Sequence, residues 1–443
     1  MDPTPTNRYL VLLCQDRKLD AVNALKALTG GEVASTAAAT ADELSRTQLA
    51  DQCAIVFDRI GVALLRCSDG KRRLLNMAAQ EHNPAILAIE PERQVRAIAG
   101  PRDIGIPAFS SNDSDSLTSY LNGYRDAVNE LVDRTLARQG QPAITREPSV
   151  PPDETSYSWG VDATRAATSV YTGEGVKLAV LDTGLDLSHP DFAGRQIVSR
   201  SFVDGEPVQD GNGHGTHCAG IAAGPSQPAS GPRYGVAGNV ELYIGKVLGD
   251  QGGGADGGVL EGINWAIEQG CQIISMSLGS SLEQEESYSK VFEEVARRAL
   301  AAGTVIIAAA GNDSRRPELI APVSHPANCP SIFAVGAIDQ VLQIAPFSCG
   351  GLVPDGGQVD IAAPGVGVLS SWPAPQLHNT ISGTSMATPF VAGIAALHAQ
   401  ADPGLRSRAL LNILVQTARR LTQPSRDVGA GLVQAPGMKE RIP

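Results

Sequence analysis

Aromatic residues make up only 4% of this 443-residue chain. Large rings therefore cannot fill its core, and close packing of Gly and Ala along helices and strands has to replace them. Basic residues are in deficit, with 35 Lys and Arg against 47 Asp and Glu and a formal net charge of −12. That balance argues against a nucleic-acid partner, because neutralising phosphates takes a basic face. No apolar run reaches the ~20 residues of a membrane-spanning helix, so no membrane partner is expected. The apolar stretch YLVLL near the start lies between Arg8 and Asp16. It is too short for the apolar region of a signal peptide, which makes the cytoplasm the expected location and secretion the alternative. Seven cysteines are scattered with no pair at metal-ligand spacing. An odd count without a leader favours free thiols; Cys329 and Cys349 are the pair to bridge if the chain is exported.

Hydrophobic content is 42%, enough to bury sizeable cores, and the length exceeds one ordinary core. Residues 1–100 read as a small α+β unit. YLVLL forms a strand, and LDAVNALKALTGG a helix with Leu19, Val22, Leu25 and Leu28 on one face, stopped by Gly30 and Gly31. CAIVFDRI and GVALLRC follow as strands, KRRLLNMAAQEH as a helix and ILAIEPERQVRAI as a last strand. This β-α-β-β-α-β order is that of a ferredoxin-like module. Residues 101–154 comprise an amphipathic helix, SLTSYLNGYRDAVNELVDRTLARQ, and a Pro-rich linker. From residue 155 to 443, short apolar runs such as VKLAVLD, LYIGKVL, IISMSL, TVIIAAAG and SIFAVGA alternate with Gly-rich turns and Ala-rich helices. Strands buried on both faces imply an α/β fold with a parallel sheet flanked by helices.

Four segments of this last region combine into chemistry. Hydrolysing an amide takes a nucleophile, a base, a group that orients the base, and donors for the oxyanion. Asp182 ends the apolar strand VKLAVLD, at the edge where α/β sheets gather their functional groups; alone it could be a turn cap. His214, in DGNGHGTHCAG, is bracketed by glycines that let other backbone approach the imidazole, whereas His217 lies inside the following helix and reads as structural. Ser385, in SGTSMATP, falls in the first turn of a buried helix, where the dipole and free N–H groups favour an anion. A plain N-cap is its alternative reading. Asn312, in AAAGND, follows another strand and can offer a side-chain amide to an oxyanion.

Together AVLDTG, NGHGTHCAG, AAAGN and SGTSMATP resemble the motifs of the subtilisin-like serine proteases, the subtilases, with GHGTHCAG closest to the proteinase K type. The Asp…His…Ser order separates the chain from α/β-hydrolases, where Ser comes first. The resemblance runs from about Ser156 to about Gln434. It implies a serine endopeptidase in which Ser385 attacks, His214 carries the proton, Asp182 fixes the imidazole, and Asn312 with the Ser385 N–H holds the oxyanion. No cofactor is then needed for catalysis.

The partner implied is a peptide or protein substrate. The resemblance places Gly253 and Gly254 on one edge of the bound chain, with Ser277, Leu278 and Gly279 on the other. Leu278, Ala310 and Gly311 would line the first specificity pocket, with Ser324 near its base. Asp313 either favours basic side chains there or is an ordinary turn residue. A structural calcium is implied at two places. Asp191 matches the family's tight site, but the loop PSQPASGPRYG offers no further Asn or Asp. Asp360 with the carbonyls of Pro330 and Ile332 is the second set, unless Asp360 pairs within the core. Residues 1–100 resemble the family's inhibitory propeptide, an intramolecular partner to be cut near Ile98-Ala99 or within the later linker. A processing protease that keeps this region to recognise a partner, and an inactive binding module, are the competing expectations.

Overall fold

The computed structural model describes residues 7–29, 33–36, 54–66, 84–98, 156–282, 287–353 and 356–437. Residues 1–101 and 154–443 belong to one compact unit. The expected helices over KRRLLNMAAQEH and 117–132 lie outside the described residues.

The N-terminal sheet comprises β1 (Arg8–Leu13), β2 (Val33–Ser35), β3 (Ala54–Phe57), β4 (Val62–Arg66) and β5 (Ile86–Pro91), in the order β2-β3-β4-β1-β5. Within it β3, β4, β1 and β5 are each antiparallel to their neighbours, the ferredoxin-like arrangement, while the short β2 adds a parallel strand outside β3. Strand periodicity gives this sheet two buried faces. Val11 and Leu13 pack with Ala21 and Leu25 of α1 (Lys18–Thr29). Leu10 and Leu12 face the opposite way, into a core shared with the rest of the unit.

The expected last strand splits. After β5, Glu92 and Arg93 break the ladder, and β6 (Gln94–Ala97) leaves for another sheet. Its partners are far along the chain. That later region lays down β7 (Lys177–Asp182), β8 (Ile197–Ser201), β9 (Glu241–Lys246), β10 (Gly253–Ala255), β11 (Ile273–Met276), β12 (Leu278–Gly279), β13 (Val305–Ala309), β14 (Phe333–Ile338) and β15 (Ile361–Pro364). Seven of these form one parallel sheet, β15-β14-β13-β11-β7-β9-β8. Alternate residues serve alternate faces. Leu178, Val180, Ile273, Ile307 and Val335 pack with α2 (His214–Ala223) and the later Thr384–Ala401 helix. Ala179, Leu181, Ile274, Met276 and Ala308 pack with α3 (Asp256–Glu268) and α4 (Lys290–Ala301), and with Leu10, Leu12, Phe57 and Val95 of the N-terminal region. Small residues let α2 and the long helix α5 (Thr384–Ala401) lie close to the sheet and to each other, so the scarcity of rings is met by close approach. A Cβ on Gly393 of α5, for example, would crowd the carbonyl of Ala222.

Candidate active site

Three parallel strands end side by side with chemistry at their carboxyl ends. β7 ends on Asp182, β11 is followed by Ser277, and β13 is followed within three residues by Asn312. Asp182 is 1% exposed, and its Oδ1 lies 2.7 Å from His214 Nδ1 and accepts the Thr183 N–H at 2.8 Å. Burial alone would pull the His214 imidazole down. The charge and hydrogen bond of Asp182 outweigh it and hold the ring well above its ordinary 6.5. Nδ1 is thereby fixed as a donor, which leaves Nε2 for proton exchange. His214 opens α2 because Gly213 turns at φ 104°, a conformation that favours glycine.

Asp210, which the sequence reading did not single out, organises this corner. Its carboxylate accepts Thr183 Oγ1 at 2.9 Å, the N–H groups of Asn212, Gly213 and Thr216, and Thr216 Oγ1 at 2.7 Å. It therefore ties the Asp182 loop to the helix that carries His214. The DGNGHG run held the signal, since an Asp in a Gly- and Asn-rich turn accepts the backbone N–H two residues on. His217 is structural as expected. Its Nε2 faces the carbonyls of Val368 and Asn379 at 3.1 Å, and burial, with the His214 charge second, lowers it to about 3.

Ser385 sits in the first turn of α5, fully buried. Its hydroxyl donates to Ile98 O at 2.6 Å and lies 3.1 Å from Ser277 O. Among the described residues the buried His214 Nε2 has no hydrogen-bond partner, so serine and imidazole are not joined in this arrangement. Asn312 points its amide at the same place, with Nδ2 donating to Ile98 O at 3.2 Å. Its Oδ1 accepts Thr384 N and Thr384 Oγ1, both at 2.9 Å, which sets the amide orientation.

The expected substrate edges are both occupied, by β6. Gly253 and Gly254 pair antiparallel with Arg96 and Val95, and Leu278 and Gly279 pair with Ala97 and Arg96. Ile98 N donates to Ser277 O at 3.2 Å, and Ala97 N donates to Gly252 O at 2.9 Å. β6 is therefore the middle strand of the three-stranded sheet β10-β6-β12. The Ile98 side chain lies against Gly279, where any side chain at 279 would crowd its Cδ1. Ala310 and Gly311 precede Asn312; Gly311 turns at φ 114° under Ser324, whose N–H donates to Ala310 O. Asp313 is engaged by Ser281 Oγ at 2.8 Å.

Neither calcium expectation fits its surroundings. Asp191 spends Oδ1 on Ala229 N at 2.6 Å and Oδ2 on the Tyr234 hydroxyl at 2.5 Å, with His378 Nε2 at 3.5 Å. Asp360, Pro330 and Ile332 do line one pocket of about 170 Å³, but Arg408 lines it too, and Asp360 Oδ2 accepts Ala334 N at 2.7 Å. One carboxylate beside a guanidinium falls short of the six to eight oxygens, several anionic, that calcium takes. Cys329 and Cys349 are buried free thiols rather than a pair.

Comparisons with known proteins place the chain in a family. The model of the subtilase family of peptidases covers residues 173–431. The chain belongs to that family. Subtilisin BL of Lederbergia lenta is 40% identical over 284 residues, 63% of this chain and 97% of the relative. Alkaline elastase YaB of Bacillus sp. (strain YaB) is 41% identical over 281 residues, covering 62% and 68%. A cold adapted subtilisin-like serine proteinase of known structure is 31% identical with a TM-score of 0.54, covering 64% of this chain and 99% of that one. This subtilase is therefore a serine protease that hydrolyses peptide bonds. The cytoplasmic expectation is corrected, because its relatives among bacterial subtilisins and alkaline proteases point to secretion. The apolar run on which it rested is β1, spent on the core.

Proposed function

We propose that this subtilase is a self-inhibited precursor whose residues 94–98 fill the substrate cleft until the Ile98–Ala99 bond is cut by Ser385. The observation that carries this reading is the position of Ile98 O, held by Ser385 Oγ and Asn312 Nδ2 at the end of a strand paired on both sides. A carbonyl in that place is polarised beside the nucleophile. In this reading His214 Nε2 takes the Ser385 proton as Oγ attacks the carbonyl carbon, and Asp182 stabilises the imidazolium. Asn312 and the Ser385 N–H hold the oxyanion. His214 then returns the proton to the departing Ala99 amine, and water repeats the sequence on the acyl-enzyme. The Ser385 hydroxyl must first turn from Ile98 O towards Nε2. The domain reading that goes with it is an inhibitory region over 1–100, a connecting segment over 101–154 and the peptidase over 155–443.

Contacts away from the cut support an N-terminal region that stays seated. Glu90 accepts Lys290 N at 2.7 Å and Ser289 Oγ at the start of α4, and Glu92 accepts Gly257 N at 3.0 Å at the start of α3. Both place carboxylates on positive helix ends. Arg298 of α4 donates to Ile60 O and Leu13 O at 2.6 and 3.0 Å. The test is the intact mass of wild type beside Ser385→Ala. Cleavage predicts a new N-terminus at Ala99 in wild type and a full-length variant. Two full-length chains would end the autoprocessing reading. Failure of wild type to take up a serine-directed fluorophosphonate, before and after added protease has removed residues 1–98, would end the catalytic one.

A further inference from the structure

The cleft does not stop at the two edge strands. One residue beyond β10, Asp256 continues the register: its N–H donates to Arg93 O at 3.1 Å, and its Oδ2 accepts Arg93 N at 3.0 Å. Arg93 is the sixth residue counting back from Ile98. The Asp256 carboxylate is fully buried, and its other oxygen, Oδ1, lies 3.0 Å from His325 Nε2, itself 1% exposed. His325 is anchored in turn. Its ring meets Phe292 edge-on at 4.6 Å, and its main chain exchanges hydrogen bonds of 2.9 and 3.0 Å with Ser280, next to β12. His325 thus joins the two sides of the cleft, by backbone to the β12 side and by side chain to the residue that follows β10.

We propose that Asp256 and His325 form a main-chain subsite for the sixth residue on the amino side of the scissile bond. The proposal rests on the reading that residues 93–98 lie where a substrate lies. Asp256 Oδ1 is committed to His325, so Oδ2 faces the occupant, and with the lane filled this carboxylate is buried and takes its donor from that occupant. A backbone N–H supplies one whatever the side chain. The substrate class is then extended polypeptide with at least six residues before the cut. Chains that begin later lose the contact, and proline at the sixth position, which has no N–H, is rejected.

Three acetylated fluorogenic peptides isolate that hydrogen. Each carries Gln-Val-Arg-Ala-Ile before the leaving group; one adds Ala in front, one adds N-methyl-Ala, and one adds nothing. The enzyme is the purified full chain, with competent Ser385 counted by fluorophosphonate uptake. The N–H peptide is expected to exceed the N-methyl peptide in kcat/KM about tenfold, which is about 1.4 kcal/mol. In Asp256→Ala that ratio falls to about one, and in Asp256→Asn, which keeps a neutral acceptor, it falls to about threefold. Equal hydrolysis of the N–H and N-methyl peptides by wild type overturns the subsite and leaves the catalytic reading intact. No hydrolysis of any peptide together with no fluorophosphonate uptake overturns both.

Discussion

Replacing Glu92 with Ala should loosen the strand in the cleft without unfolding the enzyme around it. Its side chain is fully buried, Oε1 accepts the Gly257 N–H at 3.0 Å, and Oε2 accepts Arg8 Nε at 2.6 Å. A charged acceptor on a buried N–H is worth roughly 1.5–3 kcal/mol, and its place at the start of α3 adds a favourable dipole term of about 0.3–1 kcal/mol. The Arg8 side chain is 35% exposed, so that ion pair is screened and adds little. A local loss of about 2–4 kcal/mol corresponds to about 30- to 850-fold more frequent opening. Hydrogen exchange in a Ser385→Ala background, where no cut can occur, reads that opening directly. The amides of Ala97 and Ile98, which donate to Gly252 O and Ser277 O, should exchange faster by that factor, while Ile306 and Ile307 in β13 stay unchanged. Unchanged rates at Ala97 and Ile98 would refute the reasoning. So would equal acceleration in β13, which would make Glu92 a contributor to global stability only.

Asn312→Leu should lower kcat about 100- to 1,000-fold, the known cost of one oxyanion donor, with KM little changed; a loss under tenfold in steady-state assays would remove Asn312 from that role. Because Asp182 raises the His214 imidazole above 6.5 and a base must be neutral, kcat/KM should climb with pH through a midpoint above 6.5. A midpoint at or below 6.5 would contradict the pairing. Millimolar calcium should shift the Tm of wild type and Asp360→Asn equally, and a shift confined to wild type would restore Asp360 as a calcium ligand.

Asp182, His214, Asn312 and Ser385 were legible in the sequence because each lies in a short local motif on a recognisable element. The edges around Gly253 and Leu278 followed from the family resemblance, and the structure fills them with residues 94–97. The resemblance implied that NPAILAIEPERQVRAI holds a last strand and a tail entering the cleft, but not that the change of sheet falls at Glu92 and Arg93. ILAIEPERQVRAI is one continuous extended run, and its break is fixed by partners more than 150 positions away, at Gly253 and Leu278. Asp256 and His325 were missed for the same reason, since neither carries a local signal and their meaning lies in meeting. At Asp191 the structure agrees with the loop PSQPASGPRYG, which argued against calcium there. SHPDF matched the family locally, but the Ala229 N–H and the Tyr234 hydroxyl, distant in sequence, supply the donors that take its oxygens.

β10 has three residues and β12 two, and each finds a regular partner in β6. With that strand gone, two short, exposed sheet edges face each other across an empty lane. Such edges accept almost any unstructured chain, because main-chain pairing ignores sequence. A catalyst with that appetite endangers every half-folded copy of itself made nearby. On the proposed reading, occupying the lane with the chain's own ninety-fourth to ninety-eighth residues would make each molecule harmless to its siblings from the moment it folds.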